Sequence, residues 1–302
     1  MPNIAANGIS LHYESIGNPA DPPMLLIMGL GVQMILWPDA FCAQLASHGF
    51  HVIRFDNRDV GLSTHLAHLG VPNIPLEFMK FMLHLPVAAK YSLVDMADDT
   101  AGLLAALDIP KAHVVGTSMG GMIGQNFAVR HPDKIATLTS IMSTTGRRSL
   151  PKADWSVTKA LLSRPADPSD TEAAIARMVN LLRSIGSRTH PANPDYLREI
   201  CTRHVLRSSD PAGGARQMAA IAAAADRTPI VRMIKAPTLV LHGDEDPLIS
   251  VAAGIETARC IREGGGDARV AIVAGMGHDM PVVLWPQLIG EIVAHAKAHP
   301  IS

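Results

Sequence analysis

The run from His113 to Gly121 reads HVVGTSMGG and contains a GxSxG pattern at Gly116, Ser118 and Gly120. Alone the pattern is weak, because glycine and serine are common; its context gives it weight. A β-rich run ends at Gly116, and a helical stretch from Met119 to Arg130 begins directly after Ser118. This is the order of a strand–turn–helix elbow, so tight that a Cβ at either flanking glycine would strike the neighbouring strand or helix. Ser118 would then stand exposed at a helix N-terminus, whose NH groups favour developing negative charge. The bland alternative is an ordinary serine in a strand-to-helix turn.

A serine hydroxyl is a poor nucleophile until a base takes its proton, so the elbow demands a histidine held by a carboxylate. Both have candidates in the chain order Ser, Asp, His: Asp246 in the run HGDEDPL and His278 in the run GMGH, each just beyond a strand-like stretch. Asp244 and Glu245 compete for the acid role; Asp246 is favoured because the loop must project past the strand end before turning at Pro247. Fourteen histidines make any single one uninformative, and His278 is singled out by its glycine-containing loop. A metal site from His242, Asp244 and Asp246 is conceivable by composition, but no second histidine cluster supports it. No metal is expected there. Attack on an ester carbonyl creates an oxyanion, for which two backbone NH donors are needed, each contributing roughly 3 kcal/mol to lowering the barrier. Met119 supplies one. The run LLIMGLGV places Leu30 for the other, with Gly31 as the alternative.

These residues need a scaffold that carries them to one edge. Short apolar runs at Met24–Met28, His51–Phe55, His113–Val115, Thr238–Leu241 and Arg269–Val273 alternate with helical patterns, the sequence form of a largely parallel sheet flanked by helices. Helices are expected at Leu93–Leu107, behind a Ser92/Asp95 capping box, at Val251–Glu263 and near Leu284–Lys297. Between Gly146 and Ile230 the strand signal disappears. There Ser169 with Glu172 is expected to cap a helix bearing Ile175, Met178, Leu182 and Ile185 on one face, Asn193–Pro194 to start another, and an alanine-rich piece, Met218–Ala225, to lie close to a neighbour or a ligand. The division expected is an α/β core of residues 1–145 and 231–302 and a helical cap of residues 146–230. A further insertion, residues 64–91, holds a helix with Glu77, Lys80 and His84 on one stripe and Leu76, Phe78, Met79, Phe81, Met82, Leu83 and Leu85 around the rest. Such a helix is expected to lie buried under the cap; the alternative is a flap at an apolar entrance or a dimer contact.

Composition narrows the classes. Of 302 residues, 48% belong to the hydrophobic set and 18% are charged, which excludes disorder, and the formal charge of -1 gives no global reason to bind nucleic acid or an anionic membrane. Three scattered cysteines, Cys42, Cys201 and Cys260, form no disulfide framework and fit a reducing compartment. The first Lys or Arg is Arg54, which does not suit a secretory start, and no apolar stretch reaches the roughly 20 residues of a membrane span. A cytoplasmic monomer or homodimer without stable membrane insertion is expected. Charge is partitioned: residues 146–230 hold 13 Lys and Arg against 8 Asp and Glu, and the remainder 13 against 19. Solvated outer helix faces would explain this; a cap that draws anionic substrates would add a salt-dependent kcat/KM for negatively charged esters.

MGLG at Met28, DNRDVGLS at Asp56, GTSMGG at Gly116, HGDEDPL at His242 and GMGH at Gly275 resemble the α/β-hydrolase superfamily through nearly the whole chain. Within it the sequence is most similar to the bacterial esterases that include aclacinomycin methylesterase. The resemblance implies a mainly parallel eight-stranded sheet, a helical cap, a Ser-Asp-His triad and no cofactor. Met28 stands where His often precedes the oxyanion-loop glycine, and Asp59 where Gly often follows the arginine of the DxRG run. Asp56 and Arg58 are expected to brace the loop.

The expected function is hydrolysis of an apolar carboxylic ester through an acyl-enzyme. Ser118 attacks, His278 relays the proton, Asp246 orients the imidazole, and the Leu30 and Met119 amides hold the oxyanion. A neutral imidazole is required, so the rate should fall below about pH 6 to 7. Other reactions of the same triad are carbon–carbon hydrolysis, acyl transfer and cofactor-free perhydrolysis; a hydrolase-fold ligand-binding receptor is the rival from another class.

Overall fold

The computed structural model describes residues 2–162 and 170–301. Eight strands form one sheet in the order β1-β2-β4-β3-β5-β6-β7-β8: β1 (Asn3–Ala6), β2 (Ile9–Ile16), β3 (Pro23–Ile27), β4 (His51–Phe55), β5 (Ala112–Thr117), β6 (Ile135–Ile141), β7 (Thr238–Gly243) and β8 (Ala268–Val273). β2 pairs antiparallel with both β1 and β4, and the pairings from β4 onward to β8 are parallel. Their register sets Ile27 opposite Gly116, Thr117 opposite Ile141, and Gly243 opposite Val273, so the strand ends converge on one edge. In open parallel sheets that carboxyl edge is where ligands bind.

The helices are α1 (Asp39–Ser47), α2 (Ile74–Met82), α3 (Leu93–Ala106), α4 (Met119–Arg130), α5 (Trp155–Leu162), α6 (Thr171–Ile185), α7 (Pro194–Arg207), α8 (Pro211–Ala224), α9 (Thr228–Val231), α10 (Val251–Glu263) and α11 (Trp285–Ala298). Alternate side chains of a strand face opposite sides, and both sides here are apolar. Leu25, Ile27, Ile53 and Val114 enter one core with Leu103 of α3, Phe127 of α4 and Ile261 of α10. Met24, Leu26, Val52 and Val115 enter the other with Phe41 of α1 and Leu288 of α11. Among the described residues, no helix is long and apolar enough to cross a membrane.

The expected helices and apolar runs are found with small shifts at their ends. Ser92 and Asp95 form the capping box of α3, and Asn193 caps α7. Ser169 lies outside the described residues; Asp170 caps α6 by accepting from the Ala173 amide. Three strands, β1, β2 and β6, were not marked by apolar runs. β6, IATLTSI, hides its strand character behind hydroxyls that it nonetheless buries, and Thr137 Oγ1 meets His113 Nδ1 of β5 at 2.9 Å.

The expected burial of the residue 64–91 helix is overturned. Glu77 is the buried residue of α2, while Met79, Met82, Leu83 and Leu85 are exposed. The reason is local hydrogen bonding: the Glu77 carboxylate takes the Ala88 amide at 2.8 Å and Lys80 Nζ at 2.8 Å, closing the return of the chain. With Glu77 turned inward, the helix shows Leu76, Met79, Phe81 and Met82 to solvent, and His84, expected on the same stripe, is exposed.

Between β6 and β7, α6 and α7 share a small core of Ile175, Met178, Val179, Leu197 and Cys201, against which Val32 and Leu36 of the β3–α1 connection pack.

Candidate active site

Ser118 sits between β5 and α4 with φ 54° and ψ −119°. A non-glycine residue adopts such a backbone only where its surroundings impose it. Those surroundings admit no extra atom: a Cβ on Gly116 would lie 2.2 Å from the Gly120 carbonyl oxygen, and one on Gly120 would lie 2.1 Å from that of Ile27. The Ser118 amide donates to Ile141 O at 2.9 Å, and Ser143 Oγ donates to Ser118 O at 2.8 Å, so β6 and the loop after it hold the turn.

The three residues named from sequence meet here. His278 Nε2 is 3.0 Å from Ser118 Oγ, and His278 Nδ1 is 2.7 Å from Asp246 Oδ2. Asp246 Oδ1 accepts the Leu248 and Ile249 amides at 2.9 and 2.8 Å. Burial alone would raise the Asp246 carboxyl, but the facing His278 and its hydrogen bond, the His242 ring 3.4 Å away and the Ile249 amide outweigh it and hold the group well below the usual carboxylate range. An ionised Asp246 can only accept, so Nδ1 carries the imidazole proton and Nε2 is left to accept from the Ser118 hydroxyl.

The neighbouring acids are occupied elsewhere. Asp244 Oδ1 takes the Gly275 amide at 2.8 Å, and Glu245 takes the Arg188 and Thr189 amides at 2.9 and 3.0 Å. Asp279, next to the histidine, accepts the Ser187 amide at 2.9 Å, and burial pushes its carboxyl up to about 6 against the pull of the Ser187 and Gly277 amides. The His278 amide itself donates to Ile185 O at 2.8 Å, so the C-terminal end of α6 clasps the histidine loop.

On the other side of Ser118 runs the loop after β3. A Cβ on Gly29 would lie 3.3 Å from Ser118 Cβ. The Gly31 amide is taken by Gln217 Oε1 at 2.8 Å, which removes Gly31 as the second oxyanion donor. Among the described residues, the Leu30 and Met119 amides donate to no protein acceptor.

The DNRD run braces this loop through Asp56, as expected, and through Asn57, whereas Arg58 ties the run to α3. Asp56 accepts the Met34 and Leu62 amides at 2.8 and 3.0 Å and Arg207 Nη1 at 2.7 Å. Arg58 binds both oxygens of Asp99 at 2.6 and 2.7 Å. Asn57 Nδ2 donates to Met28 O at 3.0 Å. Asp59 has φ 70°, which explains why glycine suits this position, and its carboxylate is held by Arg216 of α8 at 2.7 and 2.8 Å. Asp59, His65 and Asp210 offer ligand atoms within 4.8 Å of one another. Arg216 and His65 already occupy those carboxylates, so the group is an ion-pair network and not a vacant cation cage.

Gln217, Asn57 and Ser143 are contributors that sequence reasoning did not find. Gln217 is 186 residues from the amide it accepts, and its alanine-rich surroundings carry no motif.

The comparisons agree with this architecture. The family described as alpha/beta hydrolase fold matches residues 22–280. Rhodomycin D methylesterase of Streptomyces sp. (strain C5) is 29% identical over 319 aligned positions, spanning 98% of this chain and 97% of the relative. The rhodomycin D methylesterase of Streptomyces peucetius is 27% identical over 317 positions, with 98% and 97% covered. The solved enol-lactonase from Burkholderia xenovorans LB400 superimposes with a TM-score of 0.73 at 24% identity, covering 97% of this chain and 99% of that one. The chain belongs to the α/β hydrolase fold family of hydrolases.

Proposed function

We propose that the protein is a serine carboxylesterase that cleaves apolar esters through an acyl-enzyme. The observation that carries this reading is the hydrogen-bond chain from Ser118 Oγ through His278 to Asp246, at 3.0 and 2.7 Å, at a strained turn flanked by two unengaged amides. Ser118 Oγ attacks the ester carbonyl while its proton passes to His278 Nε2, and Asp246 stabilises the imidazolium. The carbonyl oxygen, now negative, takes the Leu30 and Met119 amides. Collapse breaks the ester C–O bond, and the Nε2 proton leaves with the alcohol. Water, deprotonated by His278, then attacks the acyl-serine and returns the free acid and Ser118. The names of the two Streptomyces relatives, both methylesterases, favour a carboxylic ester over other substrates of this machinery.

Residues 146–230 act in this reading as a cap on a core of residues 1–145 and 231–302. Under it, beside Leu30, lies a cavity of about 200 Å³ whose apolar wall includes Ile74, Leu161, Met178, Val205 and Met218. Its described lining also carries Gln33, Asp59, Arg177, His204 and Asp210 and does not include Ser118, so it adjoins the site through Leu30 and Gly31. The test is a panel of p-nitrophenyl and alkyl esters graded in acyl and alcohol size, with Ser118→Ala as the blank. Multiple turnovers are expected, reduced by about 10⁴-fold or more in the blank. Tight binding with at most one turnover would mark a receptor instead.

A further inference from the structure

We infer that Gln217, on helix α8, is a positioning residue for the oxyanion loop, so that the helical segment between β6 and β7 completes the site. This rests on the serine-hydrolase reading above. Gln217 is fully buried, and both ends of its amide are engaged: Oε1 accepts the Gly31 amide at 2.8 Å and Nε2 donates to Arg58 O at 2.7 Å. A donor on one side and an acceptor on the other fix which end of the amide points where. A carboxylate or an apolar side chain of the same length could not satisfy both.

The placement bears on a particular peptide plane. The Leu30 amide lies in the plane joining Gly29 to Leu30. The plane before it, Met28–Gly29, is held through Met28 O by Asn57 Nδ2 at 3.0 Å. The plane after it, Leu30–Gly31, is held through the Gly31 amide by Gln217. With both neighbours pinned, the middle plane has little freedom to rotate its N–H away from the space beside Ser118. Gly31 itself has φ +66°, a conformation open to glycine but one that leaves the loop no secondary structure to hold it. Oxyanion stabilisation depends on donors already aimed before charge develops, so a loosened loop weakens the transition state more than substrate binding.

The neighbouring residue secures the helix that delivers Gln217. Arg216, 1% exposed, closes on both oxygens of Asp59 and donates to Gly70 O at 3.1 Å. Two successive residues of one helix thus enter the core loops, one as an anchor and the other onto the oxyanion loop. Asp59, the departure from the commoner glycine, is the partner that this anchor requires.

The test compares wild type with Gln217→Met, which keeps the volume and loses both hydrogen bonds. A folded Gln217→Met is expected to lose kcat by about tenfold or more with KM within about threefold, since the loss falls on the transition state. Affinity for a trifluoromethyl ketone, which forms an oxyanion adduct on the serine, should fall in proportion to kcat/KM, while affinity for the product alcohol should not change. An unchanged kcat, or an unchanged ketone affinity, would overturn the role. Amide hydrogen exchange of Gly31 in the unliganded wild type provides a readout that needs no variant: slow exchange is expected, and exchange as fast as in a free loop would overturn the contact. Labelling of wild-type Ser118 by a fluorophosphonate separates the two claims. If wild type neither labels nor turns over esters, the hydrolase reading fails; if it does both and a folded Gln217→Met matches it, only the positioning role fails.

Discussion

Three acids stand in one run, and their partners separate them. Asp246 is aimed at His278, Asp244 at the Gly275 amide, and Glu245 at the chain just after α6. Asp246→Asn should therefore leave the fold intact and lower kcat by about 10³–10⁴-fold, because an amide cannot hold the required tautomer. Asp244→Asn, whose amide can still accept from Gly275, should keep activity within about tenfold. Ester kinetics on the two variants check the pair, and equal losses would refute the assignment. Ser118, Asp246 and His278 were legible in the sequence because each has a local signature, an elbow or a loop just past a strand. Gln217 and Asn57 were not, since their part depends on which backbone amide or carbonyl another element presents to them. Leu30 was preferred over Gly31 from sequence, and the Gln217 contact that engages the Gly31 amide could not be foreseen there.

At the scale of elements, α8 is held to the core by charge as well as by packing. His65 Nδ1 meets Asp210 Oδ2 at 2.8 Å, and His65 Nε2 meets Gly61 O at 2.9 Å. Both partners are acceptors, so both are satisfied only by an imidazolium. Burial would lower the His65 pKa, but the Gly61 carbonyl and the Asp210 carboxylate, with Asp59 beyond, raise it above its ordinary value. A raised folded pKa contributes stability that is complete below the unfolded value, about 6.5, and is lost as pH rises through the folded value. The Tm advantage of wild type over His65→Gln should accordingly be larger at about pH 5.5 than at about pH 9, by differential scanning fluorimetry. An advantage that grows toward alkaline pH would contradict the imidazolium. Helices were the readable part of this segment, because caps such as Asn193 and apolar spacing are local. Their attachment was not readable, since Arg216 looks in sequence like any surface arginine.

Over the whole molecule, the basic excess of residues 146–230 is partly an interior feature. Arg207 and Arg216 turn inward to Asp56 and Asp59 of the core, and Arg227 is buried with Nη2 on Thr144 O. The alternating sheet was legible where its strands are short apolar runs; β1, β2 and the interior β6, which carry polar or hydroxyl side chains, were not. The 64–91 segment misled for an equally physical reason. Its apolar count suggested an interior helix, but Glu77 takes the inner position. Met82→Gln and Leu83→Gln should thus each leave the unfolding free energy within about 0.5 kcal/mol in urea titrations; a loss of about 2 kcal/mol or more would mean that these side chains are covered. If the loops at the sheet edge assemble a nucleophile, it is Ser118. The most direct test is rapid acid quench of the protein with a p-nitrophenyl ester, followed by intact-mass and peptide mapping of the trapped species. A burst of about one p-nitrophenol per chain and an acyl group on Ser118 are expected. Undiminished turnover in Ser118→Ala, or an acyl group on a different residue, would contradict the assignment.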